Sequence, residues 1–277
     1  MGTTTPTIRR LARLFVTVLV LAIVVAPLYW LIATALKLPL SIGQYPPALV
    51  PRALTASNFG DLFRLYSFPQ NLANSAIVTV SAVLLTVTIG SLAGYAVAHL
   101  PQRGRRFVLF AVLLFGLFPE IMLIPGLFAT MRDLGWLNTW QSLILPYSGW
   151  GLPFAIWMSA NYFATLPPEL EEAARVDGAG WVKTVWSVIL PVSGPALVAV
   201  AVFTFVADWS EFLMANSVDS TLGTTTLPVG ITLYGSQYYN ATGSVFAAAL
   251  LGSIPVAVLL VVFRKLMVSG LVAGTVR

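Results

Sequence analysis

The sequence predicts an all-α membrane protein with six transmembrane helices and both termini on the cytoplasmic side. Three observations predict it. Hydrophobic residues make up 58% of the 277 and charged residues only 9%, where about 25% charged is usual for soluble chains. Six apolar segments are each about 20 residues or longer, the length that crosses roughly 30 Å of hydrocarbon. Basic residues gather at alternate ends of those segments, and this asymmetry sets orientation.

The apolar segments are Leu11 to Leu36, Leu72 to Leu100, Phe107 to Thr130, Leu143 to Phe163, Pro191 to Met214 and Val245 to Met267. With a cytoplasmic N-terminus the inner face receives Arg9, Arg10, Arg13, Arg103, Arg105, Arg106, Arg175, Lys183, Arg264, Lys265 and Arg277. The outer face receives only Lys37, Arg52, Arg64 and Arg132. The first apolar run is too long for a signal peptide, and no convincing small-x-small cleavage site follows it, so it is read as a retained span. Lys37 to Asn71 is then a Pro-rich outer loop, Met131 to Gln141 a short one, and Ala215 to Ser244 a polar one carrying Thr224 to Thr226, Tyr234, Tyr238 and Tyr239. The expected organisation is a cytoplasmic N-terminus over 1–10 and a single transmembrane domain over 11–277. Its core is 72–267, its cytoplasmic loop 165–190 and its cytoplasmic tail 268–277.

Composition also excludes. With no cysteine there is no disulfide and no thiolate chemistry. One histidine leaves no plausible zinc site. The net charge of +5 sits at the ends of apolar segments and not in a basic patch, so nucleic acid is not an expected partner.

Glu169 to Pro191 is a charged island between apolar segments. Pro167 and Pro168 stop the preceding segment and suit the first turn of a new helix, where a missing N–H costs nothing. Glu169, Glu171 and Glu172 fall in its first turns, where the helix dipole favours negative charge. Ala173 and Ala174 are small enough to let another surface approach. Gly178, after Asp177, can turn left-handed and end the helix. A second short helix over Gly180 to Ile189 leads into Pro191. The pattern predicts a helix–turn–helix on the cytoplasmic membrane face that exposes a short, stiff knob.

The string Glu172-Ala173-Ala174-x-x-Asp177-Gly178-Ala179, followed by Ile189-Leu190-Pro191, resembles the EAA signature of ATP-binding-cassette (ABC) importer permeases. Further segments resemble the MalG-like carbohydrate branch. They are Asn74-Ser75 leading to Gly94-Tyr95-Ala96, then Leu134-Gly135-Trp136-Leu137-Asn138-Thr139 closed by Leu143-Ile144-Leu145-Pro146-Tyr147, and the tail Ser269-Gly270-Leu271-Val272-Ala273-Gly274. The resemblance covers about Leu72 to Arg277. Two residues depart from the pattern: Val185 stands where Phe is common, and Ser187 where a basic residue is common.

The resemblance implies the type I ABC importer permease fold, in which this loop is a coupling helix docked on an ATPase. Glu172, Ala173, Ala174, Asp177, Gly178, Ala179, Leu190 and Pro191 would then carry ATPase coupling. The implied partners are an ATP-binding-cassette ATPase dimer, a second related permease subunit and an extracytoplasmic solute-binding protein. The implied setting is a bacterial or archaeal inner membrane, and the implied cargo a sugar. No cofactor is expected on this chain; ATP and Mg would be used by the partner, since no G-x-x-x-x-G-K-[ST] loop occurs.

Other residues carry weaker signals. Gly90 and Gly94, extended by Ala98, form a small-residue stripe that lets helices approach in lipid; a gating hinge is the alternative. Glu120, Asp208 and Glu211 are acids within or near spans, which makes them functional candidates. With Trp209 they form the expected substrate path, carboxylates accepting from sugar hydroxyls and an aromatic face stacking on the ring. The spans contain no buried Arg or Lys, which favours a neutral cargo over a phosphorylated one. His99 has no acid near it in sequence and is read as interfacial. Trp136, Trp140, Tyr147 and Trp150 are read as an aromatic belt. An ion-coupled secondary transporter is the alternative function, but no internal repeat or mid-membrane ion pair supports it.

Overall fold

The computed structural model describes residues 6–218, 223–237 and 241–275. Tyr238 and Tyr239 of the third outer segment, and Arg277 of the tail, lie outside them, as do the side chains of Arg9 and of the tail motif Ser269 to Gly274. The described residues are helical apart from turns and one antiparallel bridge between Lys37 and Leu54.

In chain order the helices are α1 (Pro6–Ala35), α2 (Pro39–Ile42), α3 (Ser57–Arg64), α4 (Phe68–Ala98), α5 (Gln102–Gly116), α6 (Glu120–Asp133) and α7 (Gln141–Phe163). Then follow α8 (Glu169–Val176), α9 (Trp181–Thr184), a π-helical turn (Val185–Ile189), α10 (Leu190–Val192), α11 (Gly194–Trp209), α12 (Leu213–Val218), α13 (Leu227–Gln237) and α14 (Thr242–Thr275). Proline explains several boundaries. Pro101 and Pro119 stand just before α5 and α6 in extended conformation, and the residue before a proline is pushed out of the helical region.

Among the described residues three helices are long and apolar enough to cross a membrane: Arg10–Ala35, Phe68–Ala98 and Thr242–Leu266. The number rises to five if two bent pairs each count as one span. The segment expected as the third span, Phe107 to Thr130, falls in the first of these pairs, where α5 and α6 meet at 80° around Pro119. The fifth expected span begins inside the second pair, where Trp181–Val192 and Gly194–Trp209 meet at 77°. α7 has 23 residues, about 35 Å at 1.5 Å each, but buries polar Ser142, Ser148 and Ser159 along its length. On α1 the large apolar side chains from Leu11 to Ile32, Trp30 and Leu31 apart, are 43–68% exposed, a surface suited to lipid.

The chain divides into two compact units. One comprises Met1–Pro69 with Ile231–Ser253. Here buried Asn58 donates through Nδ2 to the carbonyls of Ala35 and Lys37, both at 2.8 Å, which ties α3 to the end of α1. Lys37 is itself buried and holds its ammonium 4.3 Å from the Trp30 ring, a cation–π contact that offsets its desolvation.

The other unit comprises Gln70–Gly230 with Ile254–Arg277. Its interior is built on small residues. A Cβ placed on Gly90 would lie 2.5 Å from Ala155 Cβ, and one on Gly94 would lie 2.7 Å from Ser159 Cβ. Thr86, Gly90 and Gly94 of α4 thus run in register, one helical turn apart, against Gly151, Ala155 and Ser159 of α7. Ala155, Met158, Ala199 and Val200 continue this packing from α7 to α11.

A polar clamp closes one end of α4. Asn71 Nδ2 donates to the Thr225 carbonyl at 2.8 Å, and Asn74 Nδ2 donates to the carbonyls of Gly223 and Thr225 at 2.9 and 3.0 Å. Ser75 Oγ accepts from the Leu227 N–H at 2.7 Å. Asn74 Oδ1 accepts from Trp140 Nε1 and Gln70 Nε2. Every polar atom of the Asn74 side chain is therefore used. We expect Asn74→Ala to cost about 2 kcal/mol through stranded carbonyls. Amide exchange at 223–227 should quicken by one to two orders of magnitude, whereas unchanged exchange there would show the clamp to be idle.

Candidate functional site

The charged island folds as a short helix, a left-handed turn and a bent second helix. Glu169, Glu171 and Glu172 occupy the first turn of α8. Asp177 caps its C-terminus and Gly178 has φ +75°. The Gly178 N–H bonds to the Arg175 carbonyl at 3.0 Å and the Ala179 N–H to the Ala174 carbonyl at 2.9 Å. That pair of bonds is the Schellman closure, which satisfies carbonyls the helix end would otherwise strand. Ala174 is buried beneath the turn, whereas Glu172, Ala173, Asp177 and Gly178 are exposed.

The second arm is α9, the π-helical turn and α10 in succession, in place of one regular helix over Gly180 to Ile189. Val185 and Ile189 are each 1% exposed and root this arm. Ser187 is exposed, and Leu190 and Pro191 lie on α10. Val176, Trp181, Val182 and Trp186 stand 49–88% exposed on the loop. Apolar exposure beside charged residues marks a surface that a partner covers.

His99 gains an acid partner that its sequence neighbours do not offer. Its Nε2 lies 2.9 Å from Glu171 Oε1 and 3.1 Å from Oε2. An acid 72 positions away in sequence comes into contact because α8 folds back beside the end of α4, an arrangement that sequence neighbours could not reveal.

A second site lies in the membrane portion. A cavity of about 260 Å³ is lined by Glu120, Trp150, Gly151, Phe154, Phe203, Thr204, Ala207, Asp208 and Glu211. The structure brings Glu120, Asp208 and Glu211 together, as the sequence grouped them, but not Trp209. Trp209 is buried and stacks on Phe205, with ring centroids 5.3 Å apart. The aromatic walls come from Trp150 and Phe154 of α7 and Phe203 of α11. Phe154 and Phe203 were not singled out in the sequence; their signal is a spacing of four residues from Trp150 and from Ala207 respectively, which aligns each pair on one helix face.

The three carboxylates are not equivalent. Glu211 Oε1 accepts from the Met214 N–H at 2.8 Å, and Oε2 accepts from the Ala215 N–H and the Tyr147 hydroxyl. Glu211 therefore caps α12, where a carboxylate meets the positive end of the helix. Asp208 keeps Oδ2 buried with no hydrogen-bond partner among the described residues. Glu120 opens α6 and is exposed. Among the described residues no Lys, Arg or His lines the cavity. The belt reading also changes here: Tyr147 is 1% exposed and stacks on Trp150 at 5.9 Å, so both face inward, while Trp140 serves the Asn74 clamp.

Comparison with known proteins gives consistent relatives. A trehalose/maltose transport system permease protein MalG of Thermococcus litoralis is 41% identical over 211 residues, covering 76% of this chain and 76% of that protein. A trehalose transport system permease protein SugB of Mycobacterium tuberculosis is 34% identical over 261 residues, 94% of each. A diacetylchitobiose uptake system permease protein DasC of Streptomyces coelicolor is 33% identical over 95% of each chain. Among solved structures, a chain of a bacterial ABC transporter that imports the acidic polysaccharide alginate superposes with TM-score 0.80 at 22% identity, over 96% of this chain and 99% of that one. The model of the binding-protein-dependent transport system inner membrane component family matches residues 86–271, more than half of the sequence and including the whole of α8 and its turn, and the chain belongs to that family.

Proposed function

We propose that this chain is the permease subunit of an ATP-driven sugar importer, with six crossings and both termini cytoplasmic. The α8 turn would dock on an ATPase dimer, a second permease would complete the path, and an extracytoplasmic binding protein would deliver the cargo. One observation carries the reading: a rigid, exposed helix–turn on a chain whose relatives over most of its length are permeases of trehalose, maltose and diacetylchitobiose systems. ATP and Mg belong to the ATPase in this scheme. Closure of its two subunits moves α8, and α8 biases the spans between inward- and outward-open states, since only a contact that differs between states can shift their balance. The test is uptake of labelled sugar by proteoliposomes holding the complete complex. Uptake that requires ATP and the binding protein supports the proposal. Uptake that follows a proton or sodium gradient without ATP overturns it in favour of a carrier.

The cavity is the proposed station for the sugar on this chain's side of the path. Its volume is near the lower end of the roughly 300–1,000 Å³ of ligand pockets, which suits one glycosyl ring. Trp150, Phe154 and Phe203 offer faces to the apolar side of a ring, while Asp208 and Glu120 accept from hydroxyls. Carboxylates without a countering cation repel an anionic cargo, which favours a neutral sugar. We expect Asp208→Ala to lower sugar uptake about tenfold, the size of one lost charge-assisted hydrogen bond. ATPase stimulation by the binding protein should persist. Uptake in Asp208→Ala equal to that of the parent protein would remove this cavity from the path.

A further inference from the structure

We propose that His99 and Glu171 form an ionic latch between α4 and the coupling loop, firmest while His99 is protonated. The inference rests on reading α8 as the docking element. His99 is the sole histidine of the chain. It follows the last residue of α4, and Glu171 lies in the first turn of α8.

The protonation state follows from the partners. His99 Nδ1 lies 2.9 Å from the Tyr95 carbonyl oxygen, which can only accept. Nε2 lies 2.9 Å from Glu171 Oε1, and an ionised carboxylate likewise only accepts. A neutral imidazole carries one N–H and satisfies one of these contacts. Both together require an N–H on each nitrogen, which is the imidazolium. Two further features favour the cation. The Tyr95 ring lies over the imidazole with centroids 4.3 Å apart, so a positive ring gains from its π face. Glu171 is the less exposed partner, at 17% against 46% for His99.

Glu171 serves His99 and also accepts a side-chain hydrogen bond from Tyr95. Arg175, one turn along α8, reaches Glu171 Oε2 only at 3.6 Å and is 71% exposed. Glu172 shares the small hollow that His99, Glu171 and Arg175 line, and adds negative charge. From α7 and the loop after it this hollow receives Phe163, Ala164, Leu166, Pro167 and Pro168, none of them titratable. Tyr95 is the remaining titratable neighbour. Deprotonation therefore leaves a lone pair facing either the Tyr95 carbonyl or Glu171, and one of the two contacts is lost. Imidazole is the side chain whose charge changes between about pH 5 and 8. The latch would make the grip of α8 on the spans follow cytoplasmic pH, firm on the acidic side and weaker as pH rises.

The experiment uses the complete complex in nanodiscs, reading ATPase stimulation by the sugar-loaded binding protein from about pH 5.5 to 8.5. Activity of each variant is divided by that of the parent complex at the same pH, which removes titration of the ATPase itself. We expect His99→Ala to lose stimulation roughly threefold to tenfold at the acidic end and little at the alkaline end. His99→Lys keeps a cation that does not titrate in this range, so it should match the parent at acidic pH and exceed it at alkaline pH. Glu171→Gln should behave as His99→Ala. A flat ratio for both His99 variants overturns the latch. Gly178→Val serves as control: if it also leaves stimulation intact, the failure lies with α8 as docking element. If it uncouples while the His99 ratios stay flat, the latch alone is wrong. Co-purification of the ATPase with each variant establishes that the complex has assembled.

Discussion

Substitution of Gly178 by valine is expected to reduce sugar uptake by at least tenfold while the complex still hydrolyses ATP. The argument is conformational. Gly178 has φ +75°, and a Cβ built there meets nothing within 4 Å, so no side chain is crowded by the change. What changes is the backbone. A β-branched residue at positive φ is a true outlier, and such strain costs of order 1–3 kcal/mol. α8 is only eight residues long, far below the length at which a helix stands alone, so the turn gives way before the strain is absorbed. Loss of the left-handed turn breaks the two closing bonds to Arg175 and Ala174 and re-aims Glu172, Ala173 and Asp177 together. Asparagine tolerates left-handed backbone better than other residues with a side chain, so Gly178→Asn should retain a large part of transport. The ordering Gly, Asn, then Val in uptake per ATP hydrolysed is the measurement. Equal coupling in all three would show that the turn's shape is irrelevant to docking.

Much of this was legible because membrane solvent makes sequence rules strict. Runs of apolar residues and the sidedness of arginine announced spans, and the Glu-Ala-Ala and Asp-Gly pattern announced both the loop and its closure. The bends were harder. Pro119 was visible, yet whether it kinks a span or breaks it by 80° depends on what α5 and α6 each pack against, which no local pattern encodes. The same limit governs pairs distant in sequence. Nothing near His99 names Glu171, and nothing near Tyr147 names Glu211. The three acids stood out because a carboxylate in a span is conspicuous, but Glu211 spends its oxygens on capping α12. Aromatic residues misled for a related reason. A membrane helix is apolar on every face, so Trp209 and Trp150 look alike in sequence, though one is buried against Phe205 and the other walls a cavity.

The seam between α4 and α7 yields the second large effect, and there the sign of a single substitution depends on place. Alanine is a better helix former than glycine by up to about 1 kcal/mol. At Gly126, inside α6, an added Cβ meets nothing within 4 Å, so Gly126→Ala should leave stability unchanged or raise it. At Gly94 the same methyl would lie 2.7 Å from Ser159 Cβ, 3.0 Å from the Ala160 amide nitrogen and 3.2 Å from the Ile156 carbonyl oxygen. Two of those three atoms are backbone of α7 and cannot rotate aside, so the helices must part. Overpacking of this kind costs about 1–3 kcal/mol, and Gly94→Leu stands at or beyond its upper end. A fall in Tm of roughly 5–10 °C is expected for Gly94→Leu in detergent, with a smaller fall for Gly94→Ala. The same pair of variants separates packing from a gating hinge. A hinge glycine replaced by alanine would keep its melting temperature and lose uptake, because the helix would stiffen without strain. A packing glycine loses both in proportion, since separating α4 from α7 also moves Gly151, Phe154 and the cavity they frame.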